Sequence, residues 1–346
     1  MLSGASLPLR VVPETFVLLP SLKFLSAALF LAGVVSPAAA QTSAETLTIG
    51  VQESGTVQWE IETIKSLGLD KKHGLELAVR PLADSKAGQI ALQAGAVDVI
   101  LSDFVWVSVQ RGHGNLVTMV PHSLTVGGLM VPQDSAIQNV VDLKGKTIGV
   151  AGGPADKNWV ILQAFYSSVT GGVLADEASA RFGAPPLINE LLGAGDVDAG
   201  LNFWQWNARA KAAGLRETLP VADMLEQLGV PEQPPLLGWT FAETTAEQKP
   251  QALARFLDAS FEAKAILLSD DGVWMGLKDL MGAADDPALF TQLRDDYRAG
   301  IVSHYDPQNT KAAGQAFALM AQHGGTDVVG EQTTLAPGTF WQGYSK

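Results

Sequence analysis

Residues 95–106 read GAVDVILSDFVW, and residues 195–206 read GDVDAGLNFWQW. Both stretches have Gly-x-Val-Asp, a short apolar run, an aromatic residue and a Trp, at an offset of 100 residues. An earlier pair has the same relationship: LTIGVQESG at 47–55 and KTIGVAGGP at 146–154 share Ile-Gly-Val at an offset of 99. Two motifs repeated in the same order indicate a duplicated unit of about a hundred residues.

The repeated unit alternates strand-like and helix-like stretches. Each Ile-Gly-Val reads as a short β-branched strand that enters a glycine turn and then an amphipathic helix. Strands alternating with helices predict βαβ crossovers, a mainly parallel sheet and an α/β fold. In the first half we expect strands at 47–51, 75–79, 97–101 and 116–120, with helices at 57–67, 87–94 and from Asp103. In the second half we expect strands at 147–150 and 197–201, with helices at 155–169, 185–194 and 203–213.

A chain of this length exceeds what one hydrophobic core usually supports, so two lobes are expected. In such sheets ligands bind beyond the carboxyl ends of the strands, where helix N-termini point. Two lobes whose strand ends face each other therefore predict a cleft. The extended stretches 123–131 and 234–241 suit strands that cross between lobes. We expect lobe 1 to comprise 41–125 plus 240–346, whose later part is helical and packs on that lobe, and lobe 2 to comprise 126–239.

The N-terminal region predicts an exported protein. Lys23 precedes the uncharged apolar run 24–35, and Ala38-Ala39-Ala40 supplies small residues. This order is typical of a secretory signal peptide, here residues 1–40 with cleavage after about Ala40. The apolar run is shorter than the ~20 residues that span a bilayer. Residues 1–21 make an unusually long leader, which leaves the translation start open.

Composition excludes several classes of function. Removing Arg10, Lys23 and Glu14 with the leader leaves 21 basic and 35 acidic residues, a formal charge of −14. This charge disfavours nucleic acid and anionic lipid as partners. The absence of Cys removes disulfides, thiolate nucleophiles and Cys-bound metals. No common catalytic, nucleotide-binding or metal-binding motif is present. We therefore expect no catalytic residue, no metal and no cofactor.

A family resemblance adds to this interpretation. VVDLKGKTIGV at 140–150, preceded by Pro-x-Asp-Ser-x-Ile at 132–137, resembles periplasmic solute-binding proteins of ABC importers. IALQAGAVDV at 90–99 and INELLGAGDVDAG at 188–200 are similar to phrases of the nitrate, sulfonate, taurine and thiamine-pyrimidine group. The resemblance covers about residues 46–300. It implies a two-lobed, venus-flytrap receptor, monomeric and periplasmic, that closes on a small solute and passes it to a membrane permease.

Aromatic residues are the first candidates for ligand contact. The duplicated phrase predicts that Phe104 and Trp106 lie on one lip of the cleft and that Phe203, Trp204 and Trp206 lie on the other. A packing role is the alternative for each Trp taken alone. Several at one rim favour a solute with a flat aromatic or apolar body over a bare anion. Three further candidates lie near strand ends, first helical turns or the crossing: Trp59, Trp159 and Trp239.

Polar candidates lie at the same strand ends. Gln52, Asp103 and Asn202 follow predicted strands, although Asp103 also suits a helix N-cap. The turn AGGPADKNW at 151–159 offers Gly153 and Asn158 as anion contacts. Asp156 there would cap the helix or meet the ligand, and it stands where relatives often have Gly-Ser or Gly-Thr. Asp98 and Asp198 are expected to be structural, and His122 is expected to be a surface imidazole.

Two alternatives stay open, besides a sensor or chaperone that borrows the fold. The solute could be an oxyanion such as nitrate or an alkylsulfonate. The chain could instead be an enzyme resembling thiamine-pyrimidine synthases, which use Cys with Lys and His. The missing Cys and the export signal argue against the enzyme. The sequence names neither the solute nor the surface that meets the permease.

Overall fold

The computed structural model describes residues 45–305 and 307–346, apart from the side chains of 307–309. The predicted signal peptide, residues 1–40, lies outside the described residues. Strands and helices alternate along most of the chain. Their order is β1 (Glu45–Gln52), α1 (Val57–Ser66), α2 (Leu69–Lys72), β2 (Leu75–Leu82), α3 (Ser85–Gln93), β3 (Val99–Asp103), α4 (Phe104–Gly112), β4 (Val117–Ser123), β5 (Gly128–Val131), a 3-10 turn (Val140–Leu143), β6 (Thr147–Ala151), α5 (Lys157–Thr170), α6 (Leu174–Glu177), β7 (Ser179–Gly183), α7 (Pro185–Ala194), β8 (Ala199–Asn202), α8 (Trp204–Ala212), β9 (Arg216–Pro220), α9 (Val221–Gln227), β10 (Leu237–Ala242), α10 (Glu243–Gln248), α11 (Pro250–Ser269), α12 (Asp271–Met275), α13 (Pro287–Ala299), α14 (Pro307–Gly324) and α15 (Thr326–Val329).

The strands form two sheets with the same plan. The first has the order β2-β1-β3-β10-β4, and the second has the order β7-β6-β8-β5-β9. In each sheet one Ile-Gly-Val strand, β1 or β6, pairs in parallel with both neighbours. The crossing strands β10 and β5 enter antiparallel between two others. The predicted two-lobed α/β fold, with mainly parallel sheets flanked by helices, is confirmed.

The Gly-x-Val-Asp phrases hold the strands of each sheet together. Asp98 accepts a hydrogen bond from the Thr48 amide at its Oδ2, 2.8 Å away, and its own amide donates to the Thr48 carbonyl at 2.8 Å. Asp198 makes the same two contacts with Thr147, at 2.7 and 2.8 Å. Each carboxylate therefore fixes the register between β1 and β3 or between β6 and β8. Both carboxylates are structural.

The glycine of each phrase ends a helix. Gly95 and Gly195 have φ angles of 67° and 78°, in the left-handed region that favours glycine. They follow α3 and α7 and turn the chain back into β3 and β8. The two copies of the repeat thus share the same backbone geometry at the turn between helix and strand.

The chain crosses tightly between the two sheets. A Cβ added at Gly127 would lie 1.7 Å from the Asn202 carbonyl oxygen, so this segment admits no side chain there. After the second crossing, α11 packs against α1 and β1, whereas α13 packs against α8 and α14 against α5. The C-terminal helices therefore contact helices of both lobes, whereas the sequence predicts that they pack on lobe 1 alone. Across residues 45–305 and 307–346 no helix combines the length and apolar character needed to cross a membrane.

A charged cluster lies buried beneath the first sheet. Glu60 on α1 is 0% exposed, and Lys264 on α11 is 1% exposed. The Lys264 ammonium lies 2.8 Å from Oε2 of Glu60 and donates to Ser260 Oγ at 2.8 Å. Ser260 in turn donates to Glu60 and accepts from the Trp239 indole at 2.9 Å. His122 Nε2 lies 3.0 Å from Glu60 Oε2, so His122 is buried and not at the surface as the sequence suggests.

The cluster contains one carboxylate and one ammonium that are held as a pair. Burial alone would raise the pKa of Glu60, but Lys264 and His122 outweigh it and hold that pKa at about 2. Burial lowers the pKa of His122, which keeps the ring neutral. Because the pKa of Glu60 falls from 4.5 to about 2 on folding, this stabilisation is present above pH 4.5 and is lost towards pH 2.

Glu60→Gln should destabilise the fold by about 3–5 kcal/mol, because it leaves the Lys264 ammonium buried without a counter-charge. Urea unfolding monitored by circular dichroism measures the change. Glu62→Gln is the matched control, since Glu62 is an exposed residue of the same helix, and it should leave the midpoint unchanged. Equal effects of the two substitutions would contradict the assignment.

Candidate functional site

A cavity of about 320 Å³ lies between the carboxyl ends of the two sheets. Its size suits a small organic molecule. The lining comes from both lobes and from the crossing segments. The polar and aromatic lining residues are Gln52, Thr56, Ser85, Ser102, Asp103, Phe104, Thr125, Asp156, Lys157, Asn158, Phe203, Trp204 and Gln205.

Five helices begin at this cavity. The first residues of α1, α3, α4, α5 and α8, or the residues just before them, are part of its lining. Helix N-termini carry partial positive charge and unpaired amide donors. Asp103 caps α4 by accepting from the Trp106 amide at 2.9 Å, and Asp156 caps α5 by accepting from the Asn158 amide at 2.9 Å. No side chain caps α1 or α8. The Gln58 and Trp59 amides of α1 already donate to the Gly55 and Thr56 carbonyls, so the Trp204 and Gln205 amides at the start of α8 are the ones that can serve a ligand.

Asp156 therefore acts as a helix cap and also lines the cavity. Its pKa is raised to about 6, because burial outweighs the attraction of the neighbouring Lys157, and the Asp103 carboxylate raises it further. The side chain is thus close to its titration point near neutral pH. In the folded chain it takes up a proton as the pH falls through about 6, well above its ordinary value of 3.8.

An ion pair spans the cavity. Nζ of Lys157, at the start of α5, donates to Oδ2 of Asp103, at the end of β3, over 3.2 Å. The Asp103 carboxylate raises the pKa of Lys157, which keeps the ammonium charged. Asp103 ends β3 of the first sheet, and Lys157 begins the helix that follows β6 of the second sheet. The pair therefore connects the two lobes directly. Together with Asp156 the cavity holds two carboxyl groups and one ammonium.

The aromatic wall of the cavity comes mainly from the second lobe. Phe203 and Trp204 begin α8 and are half-buried. The Trp204 ring meets the Trp59 ring edge-on, with 5.9 Å between their centroids. The centroid of the Tyr297 ring lies 6.1 Å from that of Trp204. Trp204 therefore lines the cavity and also packs on aromatic residues of α1 and α13. Phe104 is fully buried at the floor of the cavity.

Six of the predicted ligand-binding residues come together at this cavity. They are Gln52, Asp103, Phe104, Asn158, Phe203 and Trp204. Gln52 donates to Ser85 Oγ at 2.7 Å, which orients its amide at the end of β1. Each of the six lies at the end of a strand or in the first turn of a helix, as the duplicated pattern predicts for this edge of the sheets.

Seven predicted residues do not line the cavity: Trp59, Trp106, Gly153, Trp159, Asn202, Trp206 and Trp239. Trp59 and Trp159 are 3% exposed and Trp239 is 0% exposed, because their rings fill the hydrophobic cores behind the helices and sheets. Trp106 also packs against the main core. These indoles are packing residues in this structure.

Asn202 and Trp206 have other partners. The Asn202 side chain donates to Pro185 O at 2.8 Å and accepts from the Phe203 amide at 2.9 Å, so it shapes the turn into α8. The Arg209 guanidinium lies over the Trp206 ring, with its Cζ 5.3 Å from the ring centroid. Trp206 follows Phe203 by three residues but does not line the cavity.

Lys157 is the main cavity residue that sequence reasoning missed. It stands between Asp156 and Asn158 in the same glycine-containing turn, and its charge was the available signal. Ser85, Thr125 and Gln205 were also missed, because nothing in the pattern separates them from other polar residues near helix starts. No group of three or more His, Asp or Glu residues suited to a metal ion occurs in the described part of the chain.

Comparison with known proteins identifies the family. The NMT1/THI5-like family model matches residues 65–270, more than half of the chain. The chain therefore belongs to the NMT1/THI5-like family. No curated protein matches its sequence significantly.

Solved structures share the fold at low sequence identity. The aliphatic sulphonate binding protein SsuA from Escherichia coli is 18% identical, with a TM-score of 0.69, over 86% of this chain and 98% of SsuA. SsuA from Xanthomonas axonopodis pv. citri, solved bound to MOPS, is 18% identical with a TM-score of 0.65 and the same coverage. The desulfurization enzyme DSZB is 16% identical with a TM-score of 0.57, over 85% of this chain and 97% of DSZB.

The Asp156 carboxyl should titrate near pH 6 in a carbon-13 NMR titration of the purified protein. Lys157→Gln should raise this pKa further, because the ammonium is the largest influence that lowers it. Signal assignment by Asp156→Asn completes the measurement. A midpoint near the ordinary value of 3.8, or a fall in the Lys157→Gln protein, would contradict the described electrostatics.

Proposed function

We propose that this protein is the solute-binding receptor of an ABC importer. It captures a small organic solute in the cavity between its lobes, closes around it by a hinge motion and delivers it to the permease. The single observation that carries the proposal is the cavity itself, which is lined from both sheets and spanned by the Asp103–Lys157 pair. A ligand that contacts both lobes favours the closed state over the open one.

The proposed receptor is periplasmic, with residues 1–40 removed on export, and it works as a monomer. Lobe 1 is proposed to comprise 41–125 and 240–346, and lobe 2 to comprise 126–239. Support comes from the two sheets, since β5 to β9 form the second sheet and β1 to β4 with β10 form the first. Strand β10 (Leu237–Ala242) begins shortly before the proposed boundary at 240. SsuA, which has this fold, is described as a periplasmic binding protein.

The proposed solute has an apolar or aromatic body with a polar group. Phe203 and Trp204 supply an apolar wall, and Gln52, Asp103 and Asn158 supply hydrogen-bonding groups. The body would stack on the wall while the polar group meets the side chains at the strand ends. Phe203 lines the cavity. Its ring makes no aromatic contact with another described residue, so it is available to a solute.

An oxyanion such as an alkylsulfonate is the second candidate. Lys157 supplies a cation, and the uncapped start of α8 supplies amide donors. The SsuA proteins of the same fold bind sulfonates by their description. The Asp103 and Asp156 carboxylates act against an anion, because they oppose the charge that the helix starts provide.

Catalysis is the weaker alternative. DSZB shows that an enzyme can use this fold, and a cysteine-to-serine mutant of it was solved with biphenyl-2-sulfinic acid. The present chain has no Cys. Its cavity would need another nucleophile for comparable chemistry. The hydroxyl groups that line it, on Thr56, Ser85, Ser102 and Thr125, have no histidine beside them in that lining.

A thermal-shift screen of residues 41–346 should reveal the solute, because a ligand that binds the folded state raises the melting temperature. The screen covers sulfonates, nitrate, pyrimidines, flavins and amines. For the hit, Phe203→Ala should weaken binding about tenfold or more through loss of the apolar wall. Trp206→Ala is the matched control on the same helix and should change affinity little. The reverse order would overturn the proposed site.

The pH dependence of affinity should reveal the charge of the solute. As the pH rises through about 6, Asp156 becomes ionised. An amine should then bind more tightly and a sulfonate more weakly, each by about tenfold, because the new charge lies in the same cavity. Isothermal titration calorimetry on either side of this pH measures the change. Asp156→Asn should flatten the profile, and an unaltered profile in that variant would rule out Asp156 as its cause.

A further inference from the structure

A second cavity adjoins the candidate solute site and shares residues 125–127 of the first crossing segment with it. It has a volume of about 310 Å³. We call it the rear cavity, and we call the candidate solute site the front cavity. The lining of the rear cavity combines α8, β9 and α13 with the first crossing segment. The lining residues used below are Asn207, Lys211, Glu217, Gln233 and Asp296.

The two cavities share a partition. Thr125, Val126, Gly127 and Trp204 line both of them. The crossing segment and the Trp204 indole therefore separate the rear cavity from the front cavity. None of the charged residues that line one cavity lines the other. The rear cavity is thus a separate chemical environment that adjoins the first crossing segment.

An unsatisfied acceptor lies in the wall of the rear cavity. Asn207 is 1% exposed, and its Nδ2 donates to Gly128 O at 3.0 Å and to Glu217 Oε1 at 3.2 Å. These two bonds to acceptors fix the orientation of the amide. Its Oδ1 is buried and accepts no hydrogen bond from any described residue. Buried polar atoms in folded proteins nearly always have a partner, so a donor is missing here.

An unsatisfied donor lies in the same cavity. Nε2 of Gln233 is buried and has no acceptor among the described residues. Gln233 belongs to the segment that leads into the second crossing strand, β10. The rear cavity thus offers one free acceptor, on Asn207, and one free donor, on Gln233. A ligand that satisfies both must carry a donor and an acceptor of its own.

The charges of the rear cavity favour a cation. Lys211 lies 2.8 Å from Glu217 and 3.8 Å from Oδ2 of Asp296. The Asp296 Oδ1 accepts from Gln292 at 2.9 Å, whereas its Oδ2 has only the longer ion-pair contact with Lys211 among the described residues. One ammonium thus faces two carboxylates, and Asp296 keeps an oxygen for a further donor. The excess negative charge lies partly buried, where water screens it less.

We propose that the rear cavity is a second binding site for a small organic amine that carries a hydroxyl or carbonyl oxygen. The ammonium donates to Asn207 Oδ1 and Asp296 Oδ2, and the oxygen accepts from Gln233 Nε2. The two unpartnered amide atoms each receive a partner of the right kind, and Asp296 Oδ2 gains a second donor beside Lys211. The site does not depend on which solute binds the front cavity, so it can hold or fail independently of the transport role.

The test uses 5-aminopentan-1-ol as the probe and pentane-1,5-diol as its counterpart without the ammonium. Isothermal titration calorimetry on residues 41–346 should show saturable binding of the amine and none of the diol. Asp296→Asn should weaken amine binding about tenfold, because a charged hydrogen bond becomes a neutral one. Asp295→Asn is the matched control, since Asp295 is exposed and pairs with Arg294, and it should leave affinity unchanged.

Further variants establish which of the two cavities holds the amine. Gln233→Ala should also weaken amine binding, whereas Asp103→Asn, which alters the front cavity, should not. Circular dichroism checks that each variant folds. Loss of binding in Asp103→Asn but not in Asp296→Asn would place the amine in the front cavity and overturn the proposal. Absence of saturable binding, or equal binding of amine and diol, would overturn it as well and leave a cavity that holds water.

Discussion

One carboxylate in each lobe holds the strand register on which the front cavity depends. Asp98 and Asp198 each make two hydrogen bonds to a threonine on the neighbouring strand. The carboxylate accepts from the threonine amide, and the backbone amide of the Asp donates to the threonine carbonyl. This contact aligns the Ile-Gly-Val strand with the strand that follows the Gly-x-Val-Asp turn. The carboxyl ends of both strands then stop at the same edge. The helices that start there point their amides into one space, which is why two copies of the phrase produce two facing walls.

Much of the fold could be predicted because the repeat carries it. Strands β1, β3, β6 and β8 lie in the two repeated motifs, and their helices follow by periodicity. Two strands were not predicted. Strand β7 reads SARFG and is largely exposed, and β9 reads RETLP with intermediate burial throughout. Neither has the apolar run or strict alternation that signals a strand, because both lie at a sheet edge where pairing, not burial, defines them.

The candidate site was predicted in position but only partly in composition. Strand ends locate Gln52, Asp103 and Phe203, because topology alone sends those residues to the cleft. The same reasoning cannot tell which face of a helix or strand a ring occupies, so Trp59 and Trp239 were assigned to the cleft and lie in the core. The Glu60–Lys264 pair was invisible for another reason, since its members are separated by 204 residues and contact only through tertiary packing.

A solute held between the lobes is proposed to draw them together. The chain has no Cys, so nitroxide labels can be attached selectively through Ser54→Cys and Ala155→Cys, two exposed positions that follow β1 and β6. Double electron–electron resonance on this protein, with and without the solute found by screening, measures the distance between the lobes. We expect the distribution to shift to shorter distances and to narrow when solute is added. Saturation with solute at an unchanged distance would contradict the account.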